Sequence, residues 1–72
     1  MHFESIIKQL KDRREELQVT QETLADISGV GLRTLKQFES GNGNPTLETL
    51  TKLADALGME VHLQIKTPEQ SK

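Results

Sequence analysis

Arg33 and Gln37 stand four residues apart with Lys36 between them, a spacing that brings all three to one side of a helix. A guanidinium can pair bidentately with guanine and a carboxamide with adenine, while an ammonium suits a phosphate oxygen. No set of residues for catalysis is comparable. The chain has no cysteine, and its two histidines, His2 and His62, lie too far apart in sequence for metal-ligand spacing. Neither a nucleophile beside a base nor paired acids stand out, so an enzyme is excluded and no cofactor or metal is expected.

The rest of the composition bounds the partner. With 72 residues the chain builds one domain with one small core. Its net charge is -2, which opposes a nonspecific polycationic binder of nucleic acid. Charge distribution matters more: Lys8, Lys11, Arg13 and Arg14 cluster early, Arg33 stands with Lys36, and Glu15, Glu16, Glu22 and Asp26 fill the intervals. Two phenylalanines, Phe3 and Phe38, are the only aromatic residues; single-strand binding by base stacking needs several exposed rings. No run is long enough to span a membrane, and the opening MHFESIIKQLKDRR lacks the apolar core of a secretory signal. A soluble protein of the cytoplasm and nucleoid is the expectation.

The elements that position these groups follow from periodicity. Phe3, Ile7, Leu10, Arg14 and Leu17 trace one face of a helix over 3–17. Thr20 can cap a second helix over 21–28, with Leu24, Ala25 and Ile27 on its apolar side and Gly29 letting the chain leave. Gly31 offers a second flexible point before a third helix marked by Leu32, Leu35 and Phe38, which ends at Ser40-Gly41. Asn42-Gly43-Asn44-Pro45 is a turn. Thr46 caps a fourth helix whose stripe is Leu47, Leu50, Leu53, Ala54 and Leu57, closed by Gly58. From 59 the period becomes two: Met59, Val61, Leu63 and Ile65 alternate with Glu60, His62, Gln64 and Lys66, as in a half-buried strand. Residues 67–72 form a polar, flexible tail. Two short helices joined by a tight glycine-containing turn project the second as a ridge that fits a DNA major groove.

The run Thr20-Gln21, Leu24-Ala25, Gly29, Leu35, Phe38-Glu39, Gly41, Pro45-Thr46-Leu47, Leu50, Leu53-Ala54 and Ala56-Leu57-Gly58 resembles the lambda-repressor-like helix-turn-helix family, the Cro or XRE type, over about residues 5–58. The resemblance implies a mostly α, four-helix domain over 1–58 that binds double-stranded DNA as a transcriptional regulator, here with a dimerisation strand over 59–66. Helices followed by a strand look more like HipB-type regulators, the DNA-binding antitoxins of toxin-antitoxin operons, which implies a HipA-like toxin kinase as a further partner. The alternative is an interaction adapter or toxin-neutralising module with little DNA binding; Arg33, Lys36 and Gln37 on the presented face favour DNA.

Family roles carry over by position. Thr20 and Gln21 begin the second helix, where free amides suit a phosphate, against a reading in which Thr20 only caps and Gln21 is solvated. Leu32, Arg33, Lys36 and Gln37 fall where the family faces bases or phosphates, though Leu32 replaces a residue often polar and either touches a thymine methyl or packs the turn. Asn42, Asn44 and Thr46 precede the fourth helix, whose start approaches the DNA backbone in the family; a plain connector competes with that role. Arg14 interrupts an apolar stripe, and a buried guanidinium needs a carboxylate. The resemblance supplies Glu39 as the partner in a structural ion pair.

A lone strand leaves its backbone groups unpaired, and no other segment reads as a strand to complete it. The expected partner is the same strand of a second copy. An antiparallel pair centred on Leu63 sets Val61 against Ile65 and Glu60 against Lys66 of the other chain, so opposite charges meet at each end.

Overall fold

Each helix ends where its local chemistry stops it. In a computed structural model, which describes residues 3–65, four helices follow one another: α1 Glu4–Glu16, α2 Gln21–Ser28, α3 Leu32–Glu39 and α4 Leu47–Ala56. The Thr20 hydroxyl accepts the Thr23 amide at 3.1 Å and Thr46 accepts that of Thr49 at 3.0 Å, so both threonines satisfy an amide that the first turn leaves free. At the other ends, α1, α3 and α4 close with the same pair of reversed hydrogen bonds. In α4, for example, Gly58 N–H reaches Asp55 O at 3.1 Å and Met59 N–H reaches Ala54 O at 2.8 Å. That closure needs a left-handed residue, supplied by Gly41 after α3 and Gly58 after α4 but by Gln18, at φ 59°, after α1. A side chain pays a steric penalty there, so Gln18→Gly is expected to raise stability by about 0.5 kcal/mol after the loss of chain stiffness is deducted. Urea denaturation of the two proteins checks it.

The turn between α2 and α3 occupies Gly29, Val30 and Gly31. Gly29 takes the left-handed conformation, φ 78°, that lets the chain leave α2. Gly31 does not act as a flexible point: its φ of -60° and ψ of 145° are open to any residue. Between them Val30 is buried in the core, and its amide is tied to the Ser28 hydroxyl at 3.1 Å. The turn is therefore pinned by an apolar plug that periodicity, which reads helices, does not register.

The core gathers Leu10 of α1, Leu24 of α2, Leu35 and Phe38 of α3, and Leu50, Leu53, Ala54 and Leu57 at α4, with Leu53 wholly inaccessible. α2 packs on both α3 and α4, and α1 packs on α3. Three stripe residues stay exposed instead, the first being Leu17, 43% exposed just past the end of α1. Ile27 is 57% exposed and Leu47 68%, because Leu47 is the first residue of α4 and Ile27 the next-to-last of α2. A stripe extrapolated to the last turn overshoots the neighbour it would pack against. Arg13, half-buried, donates from Nε to Leu57 O at 3.1 Å; a cation at the carbonyl end of α4 also complements the negative end of the helix dipole.

Residues 59–65 form no strand within the single chain, where the strand expected over 59–66 would have only a second copy to pair with. Its ladder has no partner within the described residues, and unpaired backbone gains nothing from being extended. Met59 packs against the core, but Val61 is half-exposed and Leu63 and Ile65 are 99% and 94% exposed. Glu60 and His62 meet each other at 2.8 Å. Lys66, the tail over 67–72 and His2 lie outside the described residues. Among the described residues, no helix is long and apolar enough to cross a membrane.

Candidate nucleic-acid interface

α3 buries Leu35 and Phe38 and half-buries Leu32. At about 100° per residue the opposite arc holds Arg33, Thr34, Lys36 and Gln37, all exposed. Sequence reasoning missed Thr34, and the signal was its position: one residue on from Arg33 and three before Gln37, it falls inside the same arc. No acid shares this arc, since the one acid of α3, Glu39, turns inward.

Most other cations among the described residues are neutralised. Lys8 meets Asp12 at 2.7 Å, Arg13 meets Glu16 at 3.3 Å, Arg14 meets Glu39 and Lys52 meets Glu48 at 3.4 Å. The Asp12 carboxylate also raises the Lys8 pKa, through its hydrogen bond first and its charge second. Among the described residues Lys11, Arg33 and Lys36 have no such partner, and two of those three point outward from α3. An acidic protein thus carries a small unneutralised cationic face.

Beside that face, Thr34 and Gln37 share a small cleft with Asn42, Gly43, Asn44, Pro45 and Thr49. Gln37 and the loop before α4 are thereby brought together. Asn42 is anchored through its side chain to Ser40 Oγ at 3.1 Å and through its amide to Gln37 O at 3.0 Å. Thr20 and Thr46 also hold their own helices: each hydroxyl, besides its capping bond, donates to the threonine three residues on at 3.0 Å. What α2 and α4 offer an anion is therefore the next backbone amides rather than the threonine hydroxyls. Glu22 and Glu48 stand in those first turns, and their charges oppose an anion there.

The network behind α3 fixes its angle. Arg14 and Glu39 side chains are 12% and 5% exposed. The guanidinium donates from Nε and Nη2 to the two carboxylate oxygens at 2.7 and 3.0 Å and from Nη1 to Val19 O at 2.8 Å. The hydrogen bond to Glu39 raises the Arg14 pKa above its ordinary value, burial opposing it. Gln21 Nε2 adds a bond to Glu39 Oε1 at 3.0 Å. One carboxylate therefore joins α1, the start of α2 and the end of α3, and Gln21 is held rather than solvated. Its amide retains a second N–H for a phosphate.

A helix-turn-helix family model matches residues 10–63. The chain belongs to the Cro/XRE-type helix-turn-helix family. The match runs from within α1 past α4 into the segment that follows, so the whole helix-turn-helix core is included. A cryptic phage CTXphi transcriptional repressor of Vibrio cholerae serotype O1 is 41% identical over 78% of this chain and 50% of its own length. An uncharacterised HTH-type transcriptional regulator of Haemophilus influenzae is 41% identical over 75% of this chain and 55% of its own. A further HTH-type regulator, y4dJ of Sinorhizobium fredii, is 42% identical over 76% and 70%. The chain thus spans about half the length of the first two of these relatives.

Proposed function

We propose that this helix-turn-helix domain is a DNA-binding transcriptional repressor that reads a palindromic operator as a homodimer. The observation that carries it is the outer arc of α3, where Arg33 and Lys36 stand unneutralised beside Thr34 and Gln37 with no acid among them. The repressor and regulator names of the relatives agree with it. In this reading Arg33 and Gln37 address base edges, Lys36 a phosphate, and Gln21 a phosphate from an orientation fixed by Glu39. Leu32, half-buried beside Ala25 and Val30 along one cleft, packs the turn rather than touching a thymine methyl. Asn42, Asn44 and the amides after Thr46 approach the backbone next to Gln37. The site of action is the cytoplasmic nucleoid.

The dimer is supported by Leu63 and Ile65, which a solitary domain leaves in water. Burying each contributes about 1.5 to 3 kcal/mol, and pairing residues 59–66 of two copies satisfies the backbone at the same time. A DNA-binding antitoxin with a HipA-like toxin kinase as partner is compatible with the same interface; an interaction adapter or toxin-neutralising module with little DNA binding is the second reading. It shares the dimer but leaves the bare cations of α3 without a purpose, so repression is preferred.

The test uses duplexes selected by the protein from a randomised pool. Arg33→Ala is expected to weaken binding to the selected duplex by about 1 to 3 kcal/mol with little change on random DNA. Gln21→Ala weakens both alike, as a backbone contact does. Titrations at one fixed salt concentration decide it, and equal losses on both duplexes for Arg33→Ala reject the base-reading role.

A further inference from the structure

The chain has two asparagines, and both lie in the loop before α4. Asn42 precedes Gly43 and Asn44 precedes Pro45. An asparagine turns into an acid when the backbone nitrogen of the next residue attacks its side-chain carbonyl carbon, so the residue that follows decides its fate. Proline has no N–H to give up, and Asn44 is inert by this route. Glycine presents its nitrogen with no side chain to obstruct it. The fold leaves that nitrogen open: among the described residues Gly43 N–H has no acceptor, and no atom comes within 4 Å of where a Cβ on Gly43 would stand. Asn42 and Gly43 are both exposed. The Asn42 carboxamide is held by one hydrogen bond, from Nδ2 to Ser40 Oγ at 3.1 Å, which is open to water and slows its swing toward Gly43 without preventing it.

We infer that Asn42 is a site of spontaneous deamidation, which adds a negative charge to the DNA-facing side of the domain and lowers its affinity for DNA as the protein ages. The effect on DNA rests on the interface proposed above; the chemistry does not. Gly43 N bonds to Asn42 Cγ and gives up its proton, and the Cγ–Nδ2 bond breaks, releasing ammonia that carries this proton away. The cyclic imide left behind takes up water. Opening at Cγ gives aspartate, and opening at the Asn42 main-chain carbonyl gives isoaspartate, in which the chain continues through the side-chain carbon. Either way an amide and a water become a carboxylate and an ammonium ion, with no change of oxidation state. The new charge falls on an uncharged stretch of the interface. No charged side chain lines the cleft that Asn42 shares with Thr34 and Gln37, and Arg33 and Lys36 on the adjoining arc have no carboxylate partner among the described residues. A carboxylate beside them repels phosphate and competes with it for those cations.

The test ages the intact chain in warm, mildly alkaline buffer until a synthetic peptide of residues 38–46 in the same buffer has converted, and reads both by peptide mass spectrometry. The expected result is conversion of amide to acid at Asn42 and none at Asn44, with isoaspartate among the products. An Asn42 amide that stays intact in the folded chain means that the fold guards the site, and overturns the inference. Freshly prepared Asn42→Asp supplies the charge directly. It is expected to bind the selected duplex about ten-fold more weakly than the unaltered chain at low salt, the difference narrowing as salt rises, with the same urea midpoint. A loss that persists at high salt, or that accompanies a lower midpoint, belongs to the fold of the loop and overturns the charge effect. Binding equal to that of the unaltered chain, while Arg33→Ala still loses affinity on the selected duplex, overturns the effect on DNA and leaves the interface standing. If Arg33→Ala loses nothing either, the effect on DNA falls together with the interface, and the mass result still decides whether Asn42 is the modified residue.

Discussion

Arg14→Met is expected to destabilise the domain by about 3 to 5 kcal/mol, although methionine is apolar and the position lies on the apolar face of α1. The cost arises from what is left behind. Glu39 is 5% exposed, and without the guanidinium its charge keeps only the Gln21 amide at 3.0 Å; a charge buried without its counter-ion costs several kcal/mol. Val19 O also loses a donor at 2.8 Å. A domain of this size has a total stability of roughly 4 to 11 kcal/mol, so the single variant stands close to unfolding. Glu39→Leu strands Arg14 in the same way. The double variant Arg14→Met with Glu39→Leu removes both charges, and its loss falls to about 1 to 3 kcal/mol, the penalty for leaving the Val19 carbonyl and the Gln21 amide unsatisfied. Urea denaturation of the three variants measures the non-additivity. A cost below about 1 kcal/mol for Arg14→Met is the value of an exposed pair and shows that water reaches the site.

That pair illustrates what the sequence makes legible. An arginine on an apolar stripe is a conflict that must be resolved by a carboxylate, and the resemblance to the helix-turn-helix family named Glu39. The four helices were readable because their caps are written in residue types: threonine before α2 and α4, glycine after α2, α3 and α4. Less of the packing was readable. Val30 sits in a turn, where no period exists to mark it as buried, and Arg13 reads as one more cation of α1 until α4 brings Leu57 O to it. Ile27 and Leu47 satisfy a helical stripe yet remain exposed because the stripe continues beyond the neighbouring helices. At the interface, residue type showed that Arg33 and Gln37 could read bases. Only the set of ion pairs showed which cations remain unspent, and only the hydrogen bonds showed that Gln21 shares Glu39 with Arg14. The alternation over 59–65 is legible as a pattern, but alternation specifies a face, and a strand requires a neighbour that one chain does not provide.

Leu63→Asp is expected to lower affinity for a palindromic duplex by about 100-fold to 10,000-fold while leaving each domain as stable as before. The two halves of that expectation have separate causes. Leu63 is 99% exposed, so an aspartate there removes no contact from the domain, and surface changes of this kind stay within about 0.5 kcal/mol. In the proposed dimer, however, residue 63 of each copy meets its counterpart on the two-fold axis, and the substitution sets two carboxylates directly opposite each other, where like charges destabilise a strand pair. The dimer then dissociates. A dimer holds its second recognition helix near the second half-site at an effective concentration in the millimolar range, a gain of about 100-fold to 10,000-fold over independent binding, and monomers forfeit it. Truncation after Gly58 tests the same interface less cleanly, because it also strips Met59 from the core and its amide from Ala54 O at 2.8 Å. The decisive comparison is between a duplex with two half-sites about 34 Å apart and one with a single half-site. Leu63→Asp should bind the two alike and no more weakly than the unaltered chain binds the single half-site, with sedimentation showing a monomer. If the variant keeps its preference for the double site, residues 59–66 do not make the dimer that reads it.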